Sequence, residues 1–210
     1  MLDDEDGAPS SAITCQSNTD PSWRKYIPSD ATDVKNISDE AIWSLSSCKD
    51  GFGINQLLDE QVDMYWQSDG QQPHRISIEF QKLTEVCFVM FYLDFKTDES
   101  YTPSKIMIQS GTNSQDVHDQ HILVLSEPIG WQIVDLRNEK TRMALKSFML
   151  NIQVIHNHQN GRDTHIRSIR VIGPPSIDRA LSQKYTQRKN QVYELEPIKN
   201  SALNFNNRIR

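Results

Sequence analysis

The chain has 210 residues, of which 37% are hydrophobic, and its formal net charge is −6. The negative balance argues against a general nucleic-acid binder, which usually carries a basic face, and no apolar run approaches the roughly 20 residues of a membrane span. The three cysteines are widely spaced and form no CxxC pair, which predicts neither a disulfide framework nor a zinc site.

The chain begins with an acidic stretch that is unlike a signal peptide. We therefore expect an intracellular and soluble protein, without cofactor, bound metal, nucleic-acid partner or membrane contact.

The two ends of the chain are polar and opposite in charge. Residues 1–33 contain seven acidic and two basic side chains, whereas residues 176–210 contain seven basic and three acidic ones. Segments of this kind have too little apolar surface to fold alone. We predict a poorly ordered acidic extension over residues 1–35, one domain over 36–175, and a flexible tail over 176–210.

A short N-terminal helix is predicted from Asp39 to Ser46. Ser38 can cap it, Asp39 and Glu40 fall in its first turn, and Ile42 with Leu45 would give it an inward face.

The residues that follow predict β structure. His74–Phe80 alternates between apolar and polar side chains, and Glu85–Phe95 is a long β-rich run typical of a central strand covered on both faces. Turn signals separate five further predicted strands, which are Lys105–Gln109, Ile122–Leu125, Trp131–Leu136, Phe148–Ile155 and Ile166–Ile172. Many short strands without long helices between them predict an all-β sandwich or barrel.

Two polar runs between the predicted elements are candidate recognition loops. The first run is Leu57–Gly70, in which we expect Trp66 to plug the end of the sandwich and Gln67, Ser68 and Asp69 to lie exposed at its rim. The second, Asp98–Ser104, is too polar for a core. Its one large side chain, Tyr101, is either a recognition anchor or folded down as part of a capped loop.

A third polar run, His156–His165, lies between two predicted strands and is also too polar for a core. Three histidines suggest zinc, but zinc needs a further ligand and no cysteine is near. A catalytic His–Asp pair lacks a nucleophile motif such as GxSxG. We expect Asn160-Gly161 to make a hairpin turn, Arg162 to grip a carboxylate or backbone carbonyls, and Asp163 and Thr164 to orient the loop.

These runs together resemble the Doc domain, the family of subunit 10 of the anaphase-promoting complex. The similarity covers Ala41 to about Ile172 and is carried by several long stretches in the same order. They are Trp43 to Lys49, Tyr65 to Gly70 with Gln72-Pro73-His74, Asp98 to Lys105, and Asn157 to His165. The terminal Ile209-Arg210 matches the family's tail, whereas the acidic extension and residues 176–203 do not follow the family pattern.

The resemblance implies a galactose-binding-domain-like jelly-roll β-sandwich and a non-catalytic subunit of a ubiquitin ligase. The family's loops form a co-receptor for destruction-box substrates with a WD40 coactivator, which promotes processive ubiquitination in the cell cycle. That role falls here on Asn160, Gly161, Arg162, Asp163, Thr164 and His165, with Tyr65, Gln67, Ser68, Asp69, Ser100 and Tyr101 beside them. The family's tail binds a tetratricopeptide-repeat subunit, which implicates Ile209 and Arg210.

Two other functional classes stay open at this point. A carbohydrate-binding module on the same fold would use exposed aromatic side chains, and Tyr65, Trp66 and Tyr101 are the candidates. A hydrolase or metalloenzyme would be built on the histidines of the third run.

Overall fold

The computed structural model describes residues 23–31, 33–113 and 116–175, which form two packed antiparallel sheets and a small two-stranded one. The eleven strands are β1 (Lys35–Asn36), β2 (Ala41–Leu45), β3 (Trp66–Gln67), β4 (His74–Val86), β5 (Phe88–Asp94), β6 (Pro103–Asn113), β7 (Asp116–Val124), β8 (Ile129–Asp135), β9 (Leu145–Asn157), β10 (His165–Ile166) and β11 (Ser168–Gly173). The five-stranded sheet has the order β2-β4-β9-β6-β7, the four-stranded sheet β1-β11-β5-β8, and β3 pairs with β10.

Helical structure among the described residues is short. The α-helices are α1 (Ile54–Leu58) and α2 (Phe95–Asp98), and five 3-10 turns cover Trp23–Tyr26, Ser29–Ala31, Ser38–Glu40, Glu99–Tyr101 and His158–Asn160. No helix in these residues is long and apolar enough to cross a bilayer. The all-β prediction is confirmed.

The core lies between the two large sheets, because alternate residues of each strand point inward. The five-stranded sheet contributes Ile78, Leu150 and Ile152, and the four-stranded sheet contributes Phe91 and Val171, all 0% exposed. The ends of the central strands are thereby fixed, and the loops that join them are held at defined positions.

The predicted strands are present, but Ile166–Ile172 is divided at Arg167 between β10 and β11, and the run Glu85–Phe95 is not one strand. It breaks at Cys87, where the chain leaves the five-stranded sheet at the end of β4 and enters the four-stranded sheet as β5. The apolar pattern hides this change of sheet because both strands are largely apolar there. The prediction of a central strand covered on both faces is confirmed for β5, since it lies between β11 and β8 and Phe88 to Phe91 are all buried.

The predicted helix from Asp39 to Ser46 is wrong. Ser38–Glu40 forms a 3-10 turn, and Ala41–Leu45 is strand β2, paired with β4. Ser38 does not cap a helix, because its hydroxyl donates to Asn36 Oδ1 (2.7 Å) and accepts from the N–H of Val171 (2.9 Å). Tertiary pairing with a strand more than thirty residues away overrides the local helix signal.

Part of the predicted N-terminal extension packs on the domain. Trp23, Ile27 and Ala31 lie against the outer face of the four-stranded sheet, where they contact a buried cluster that includes Phe88 and Met90. The body of the domain therefore begins before residue 36. Residues 1–22 of the predicted extension, the tail 176–210 and the Ile209-Arg210 terminus lie outside the described residues.

Candidate functional site

The three polar runs meet at one end of the sandwich. We call this end the three-loop surface, formed by residues 65–69 (first loop), 98–102 (second loop) and 158–165 (third loop). The first and third loops are joined by the β3–β10 pair, in which Gln67 lies opposite His165. The Ser68 N–H donates to the Thr164 carbonyl (3.1 Å), and the Thr164 N–H donates to Ser68 Oγ (2.9 Å).

The third loop also packs directly on the second. Thr164 Oγ1 donates to the carbonyl of Tyr101 (3.2 Å), and both the backbone N–H and Nδ1 of His158 donate to the carbonyl of Thr102 (2.9 Å each). A Cβ on Gly161 would lie 1.8 Å from the backbone oxygen of Ser100. Glycine is required at 161 because no side chain fits between the two backbones.

The predicted Asn160-Gly161 hairpin turn is wrong. The third loop joins β9 of the five-stranded sheet to β10 of the two-stranded sheet, so it is a crossover and not a hairpin connection. The left-handed backbone conformation falls on Gln159 (φ 50°) and Asn160 (φ 56°), whereas Gly161 has φ −59°. The glycine serves close approach to Ser100 and not a positive φ.

Side chains beneath the third loop hold its carbonyls. Asn157 Nδ2 donates to Asp163 O (2.8 Å), Gln72 Nε2 donates to Gly161 O (2.9 Å), and His74 Nε2 donates to Arg162 O (2.6 Å). The backbone of the loop is therefore fixed from below. The side chains of Asn160 and Arg162 remain exposed on it.

An aromatic stack joins the three loops above this base. The His165 ring lies between those of Tyr65 and Tyr101, with centroid distances of 4.2 Å on each side and interplanar angles of 28° and 12°. Phe52 extends the stack behind Tyr65 at 5.0 Å. The ring of Tyr101 covers His165 and is still 40% exposed, so it is only partly folded down, and its role as a recognition anchor stays a prediction.

A buried ion pair lies below the stack. Arg167 donates through Nε to Asp98 Oδ2 (2.7 Å) and through Nη2 to Oδ1 (2.8 Å), and His165 Nδ1 donates to Oδ1 (3.1 Å). Burial by itself would raise the pKa of Asp98, but the hydrogen bonds from His165 and Arg167 outweigh it and leave this pKa below its ordinary value. Burial opposes the charge of Arg167, yet Asp98 raises its pKa.

The site residues named from sequence divide into an exposed and a buried set. Asn160, Arg162, Asp69 and Tyr101 are exposed, and Tyr65, Gln67, Ser100, Gly161 and Asp163 are partly exposed. Ser68 and Thr164 are 0% exposed and His165 is 8% exposed. The expectation that Ser68 lies exposed at the rim is therefore wrong, because its hydroxyl is used to pair the loops.

Two related expectations have opposite outcomes. The loops were considered too polar for a core, but Asp98, Thr102, Asn157, Thr164 and His165 are all buried. The side chains of Asp98, Asn157, Thr164 and His165 each bond to another of these residues or to a backbone carbonyl, as buried polar groups usually do, whereas the Thr102 hydroxyl has no partner. The prediction that Trp66 plugs the sandwich end is confirmed, since it is 0% exposed and its Nε1 donates to Ser47 O (3.0 Å).

Sequence reasoning missed the residues that support this surface, namely Asp98, Arg167, His74, Gln72 and Asn157. A signal was present for Arg167, which is one of two arginines, with Arg170, in the otherwise largely apolar run Ile166–Ile172. Charges are seldom buried unless paired, so this arginine predicted a carboxylate partner without naming it. For the other four, nothing in the local pattern separates support from ordinary loop polarity.

Unpaired buried polar atoms concentrate at this end. Among the described residues, the side-chain atoms buried without a hydrogen-bond partner are Asn151 Oδ1 and, at or beneath the three-loop surface, His74 Nδ1, Thr102 Oγ1, Asn157 Oδ1 and His165 Nε2. Native interiors leave few such atoms, and those present call for an explanation. Four of these five atoms therefore lie at the end of the sandwich where the three loops meet.

The three histidines of the third polar run do not converge. His158 contacts Thr102 and accepts from the N–H of Glu127 (3.2 Å), His165 contacts Asp98, and His156 is exposed. Over the described residues, there is no group of three or more His, Cys, Asp or Glu side chains placed to hold a metal ion.

Comparison with other proteins gives one consistent family. A family model described as anaphase-promoting complex, subunit 10, matches residues 9–195. The anaphase-promoting complex subunit 10 of Drosophila melanogaster is 49% identical over 141 residues, which cover 67% of this chain and 72% of the relative. The Homo sapiens protein of that name is 48% identical (67% and 76% covered), and that of Schizosaccharomyces pombe is 40% identical (66% and 74%).

Solved structures agree on the fold. A family 32 carbohydrate-binding module of Clostridium perfringens in complex with galactose superposes with a TM-score of 0.52, at 13% identity, over 66% of this chain and 98% of that one. A second such module, in complex with GalNAc-β-1,3-galactose, gives 0.54 at 8% identity over 65% and 99%. Similarity at this level of identity concerns the fold alone, and the galactose-binding-like jelly roll is confirmed.

Proposed function

The chain belongs to the anaphase-promoting complex subunit 10 family and is thus a subunit of that ubiquitin ligase, and from this premise we propose that its three-loop surface is a co-receptor for substrates. The proposed ligand is the destruction box of the substrate, held jointly with a WD40 coactivator.

One observation carries this proposal. Three loops that are far apart in sequence converge, and they present exposed hydrogen-bonding side chains on a backbone that is fixed from below. A rigid base favours recognition because little conformational entropy is lost when a peptide binds. The guanidinium of Arg162 can donate to a carboxylate or to backbone carbonyls. The side-chain amide of Asn160 can bond to the N–H or to the carbonyl of a peptide group, and Tyr101 supplies an aromatic surface.

We propose no chemical step for this chain. His165 and Asp98 resemble part of a catalytic pair, but they are only 8% and 6% exposed, and the imidazole is enclosed by the rings of Tyr65 and Tyr101. The contribution to ubiquitination is instead an additional weak contact. A second contact raises the effective concentration of the bound substrate and lengthens its stay, so more ubiquitin is added before release.

The triple variant Asn160→Ala, Arg162→Ala, Asp163→Ala tests this function in the reconstituted complex. We expect normal incorporation of the subunit and fewer ubiquitins added per substrate binding event. His165 is left unchanged, because its removal would also break the aromatic stack. Glu139→Ala with Lys140→Ala, two exposed residues of the loop after β8, is the control. Wild-type processivity of the triple variant would contradict the proposal.

The C-terminal Ile209-Arg210 is proposed to bind a tetratricopeptide-repeat subunit of the complex. The apolar side chain of Ile209 and the guanidinium of Arg210 are two different groups that one groove can recognise. Deletion of the two residues is expected to weaken assembly without altering the three-loop surface. A pull-down from cells in which the shortened chain is recovered fully with the complex would contradict this role.

We also propose that the chain works in the nucleus and cytoplasm, which a tagged chain in dividing cells would test.

A carbohydrate-binding module is the second candidate function. The observation that favours it is the 40% exposed ring of Tyr101, at the loop end of a sandwich of this shape. Aromatic rings of this kind can stack on the apolar face of a sugar. Specific and saturable binding of the purified chain on a glycan array, lost in Tyr101→Ala, would favour this candidate over the co-receptor.

A further inference from the structure

One buried carboxylate is connected to all three loops of the three-loop surface. Asp98 belongs to the second loop and is 6% exposed. It accepts from His165 at the end of the third loop and from Arg167 just after it. Arg167 Nη1 donates in turn to the carbonyl of Val62 (3.1 Å), three residues before the first loop.

The same connections continue through the rings above the carboxylate. The guanidinium of Arg167 lies 5.5 Å from the ring centroid of Tyr65, and that ring stacks on His165. Tyr101 closes the stack from the second loop. Each loop is thus connected to Asp98 either directly or through one side chain, and the aromatic groups depend on the imidazole that Asp98 orients.

A buried ion pair is weak evidence for stability. Removing two charges from water offsets much of their attraction, and apolar replacements of the same shape are often as stable. What an ion pair does supply is one defined arrangement, because a carboxylate and a guanidinium satisfy each other only in a narrow geometry. The placement of Asp98 at the point where three loops meet gives that geometry a consequence for the binding surface.

We infer that Asp98 is a positioning residue, which holds the three loops as one preorganised unit and so sets the affinity of the three-loop surface for its peptide. This inference rests on the proposed co-receptor function for its ligand, but the coupling of the loops is a property of the free chain. Without the carboxylate, the loops fluctuate independently. The arrangement that binds is then only fractionally populated.

Asp98→Asn is the variant that tests this inference, because it keeps the shape and removes the charge. The amide NH₂ would face the donors of Arg167, so the paired geometry is lost. Asp94→Asn is the first control. Asp94 caps α2 by accepting from the N–H groups of Lys96 and Thr97, and asparagine caps as well as aspartate. This control removes a nearby negative charge and leaves the cap.

Asp135→Asn is the second control. Asp135 accepts from Arg137 (2.9 Å) at the opposite end of β5, about 20 Å away at roughly 3.3 Å per strand residue. It removes an arginine–carboxylate pair from the same domain without touching the loops. The two controls separate loss of charge, loss of an ion pair and loss of the connection between loops.

Hydrogen–deuterium exchange on the full chain measures the coupling directly. We expect Asp98→Asn to raise exchange together in residues 60–69, 98–102 and 158–165, and both controls to leave these segments at the wild-type rate. Faster exchange confined to 98–102 would overturn the inference, as would an equal change in all three loops in Asp135→Asn. This measurement does not depend on the ligand.

Affinity is measured in the reconstituted complex with a fluorescent destruction-box substrate. If the binding arrangement falls to about one fifth of the population, the apparent affinity falls about fivefold. We expect that loss for Asp98→Asn, with unchanged incorporation into the complex, and wild-type affinity for the controls. Wild-type affinity of Asp98→Asn while the triple loop variant is impaired would overturn the positioning role and leave the co-receptor function standing. Wild-type affinity of both Asp98→Asn and the triple loop variant would contradict the co-receptor function. Hydrogen–deuterium exchange would then still show whether Asp98 couples the three loops.

Discussion

The two ends of the sandwich each contain an arginine that pairs with a carboxylate and lies near an aromatic ring, but the elements that the two arginines join are different. At the three-loop surface, Arg167 and Asp98 are both nearly buried, with side chains 10% and 5% exposed. At the far end, Arg137 is 4% exposed but its partners Asp30 and Asp135 are 47% and 31% exposed, and its guanidinium lies 4.5 Å from the Phe88 ring centroid.

The difference lies in what each network connects. The far-end network joins the N-terminal segment, through Asp30, to the end of β8 and to Arg142 in the loop that follows. It fixes a segment of chain that covers the outer face of the four-stranded sheet. The network at the three-loop surface connects loops to one another. An arginine–carboxylate pair therefore holds the N-terminal segment on the sheet at the far end, and it connects the loops at the three-loop surface.

Gly161→Ala is expected to have the largest effect and to show how tightly the loops are packed. The added Cβ would lie 1.8 Å from a backbone oxygen of Ser100, which cannot rotate away as a side chain can. Forced overpacking costs about 3 kcal/mol, and we expect a loss of that size in the free energy of unfolding by urea. Substrate binding should fall with it, because the second and third loops must separate.

Gly53→Ala is the matched control for this prediction. A Cβ there would meet only Cys48 Sγ at 3.6 Å, an ordinary contact. We expect a loss of less than about 1 kcal/mol, from a poorer residue at the start of α1. Equal losses for the two variants would mean that the contact between Gly161 and Ser100 is not what holds the loops together.

Much of the fold could be predicted from sequence, because strand alternation is a local property. Ile76, Ile78 and Phe80 mark the inner face of β4 without reference to the rest of the chain. The failures are places where distant residues decide. Ala41–Leu45 becomes a strand because β4 pairs with it, and the break at Cys87 depends on which sheet each neighbouring strand joins.

The loops of the site could also be predicted, but not how they are held. Arg167 and Asp98 are 69 residues apart in sequence, so no local pattern brings them together. Burial was equally hidden. Ser68 and Thr164 look like rim residues by type, yet each is enclosed because the first and third loops pair through them. Polarity predicted the three loops that the structure brings together, and only the geometry separates their exposed side chains from the buried ones that support them.

The acid sensitivity of Asp98 is the second prediction and contrasts the buried pair with the exposed one. The pKa of Asp98 lies below its ordinary value of 3.8 when the chain is folded. A lowered folded pKa stabilises the protein above the unfolded value, and that stability is lost as the pH falls through the folded value. At pH 7, Asp98→Asn should unfold more easily by about 2 kcal/mol, since Arg167 loses its carboxylate partner.

Urea unfolding of both proteins between pH 7 and pH 3 checks this prediction. We expect the difference between wild type and Asp98→Asn to be constant down to about pH 4 and to shrink below it, because only the wild type has this group to protonate. A difference that stays constant to pH 3 would show that the charge of Asp98 is not what the variant removes.

Arg142→Ala is expected to have the smallest effect. It tests the exposed ion pairs of the far end against the buried pair of Arg167 and Asp98. Arg142 donates to Asp30 (2.8 Å) and lies 3.0 Å from Asp135, but its side chain is 45% exposed. Exposed pairs of this kind contribute about 0.2–1 kcal/mol and are screened by salt. We expect a loss within that range in low salt, smaller in 1 M NaCl, with no change in substrate affinity. If this variant weakened substrate binding as much as Asp98→Asn does, the two ends would not act independently, because a pair that fixes only the N-terminal segment has no connection to the three loops.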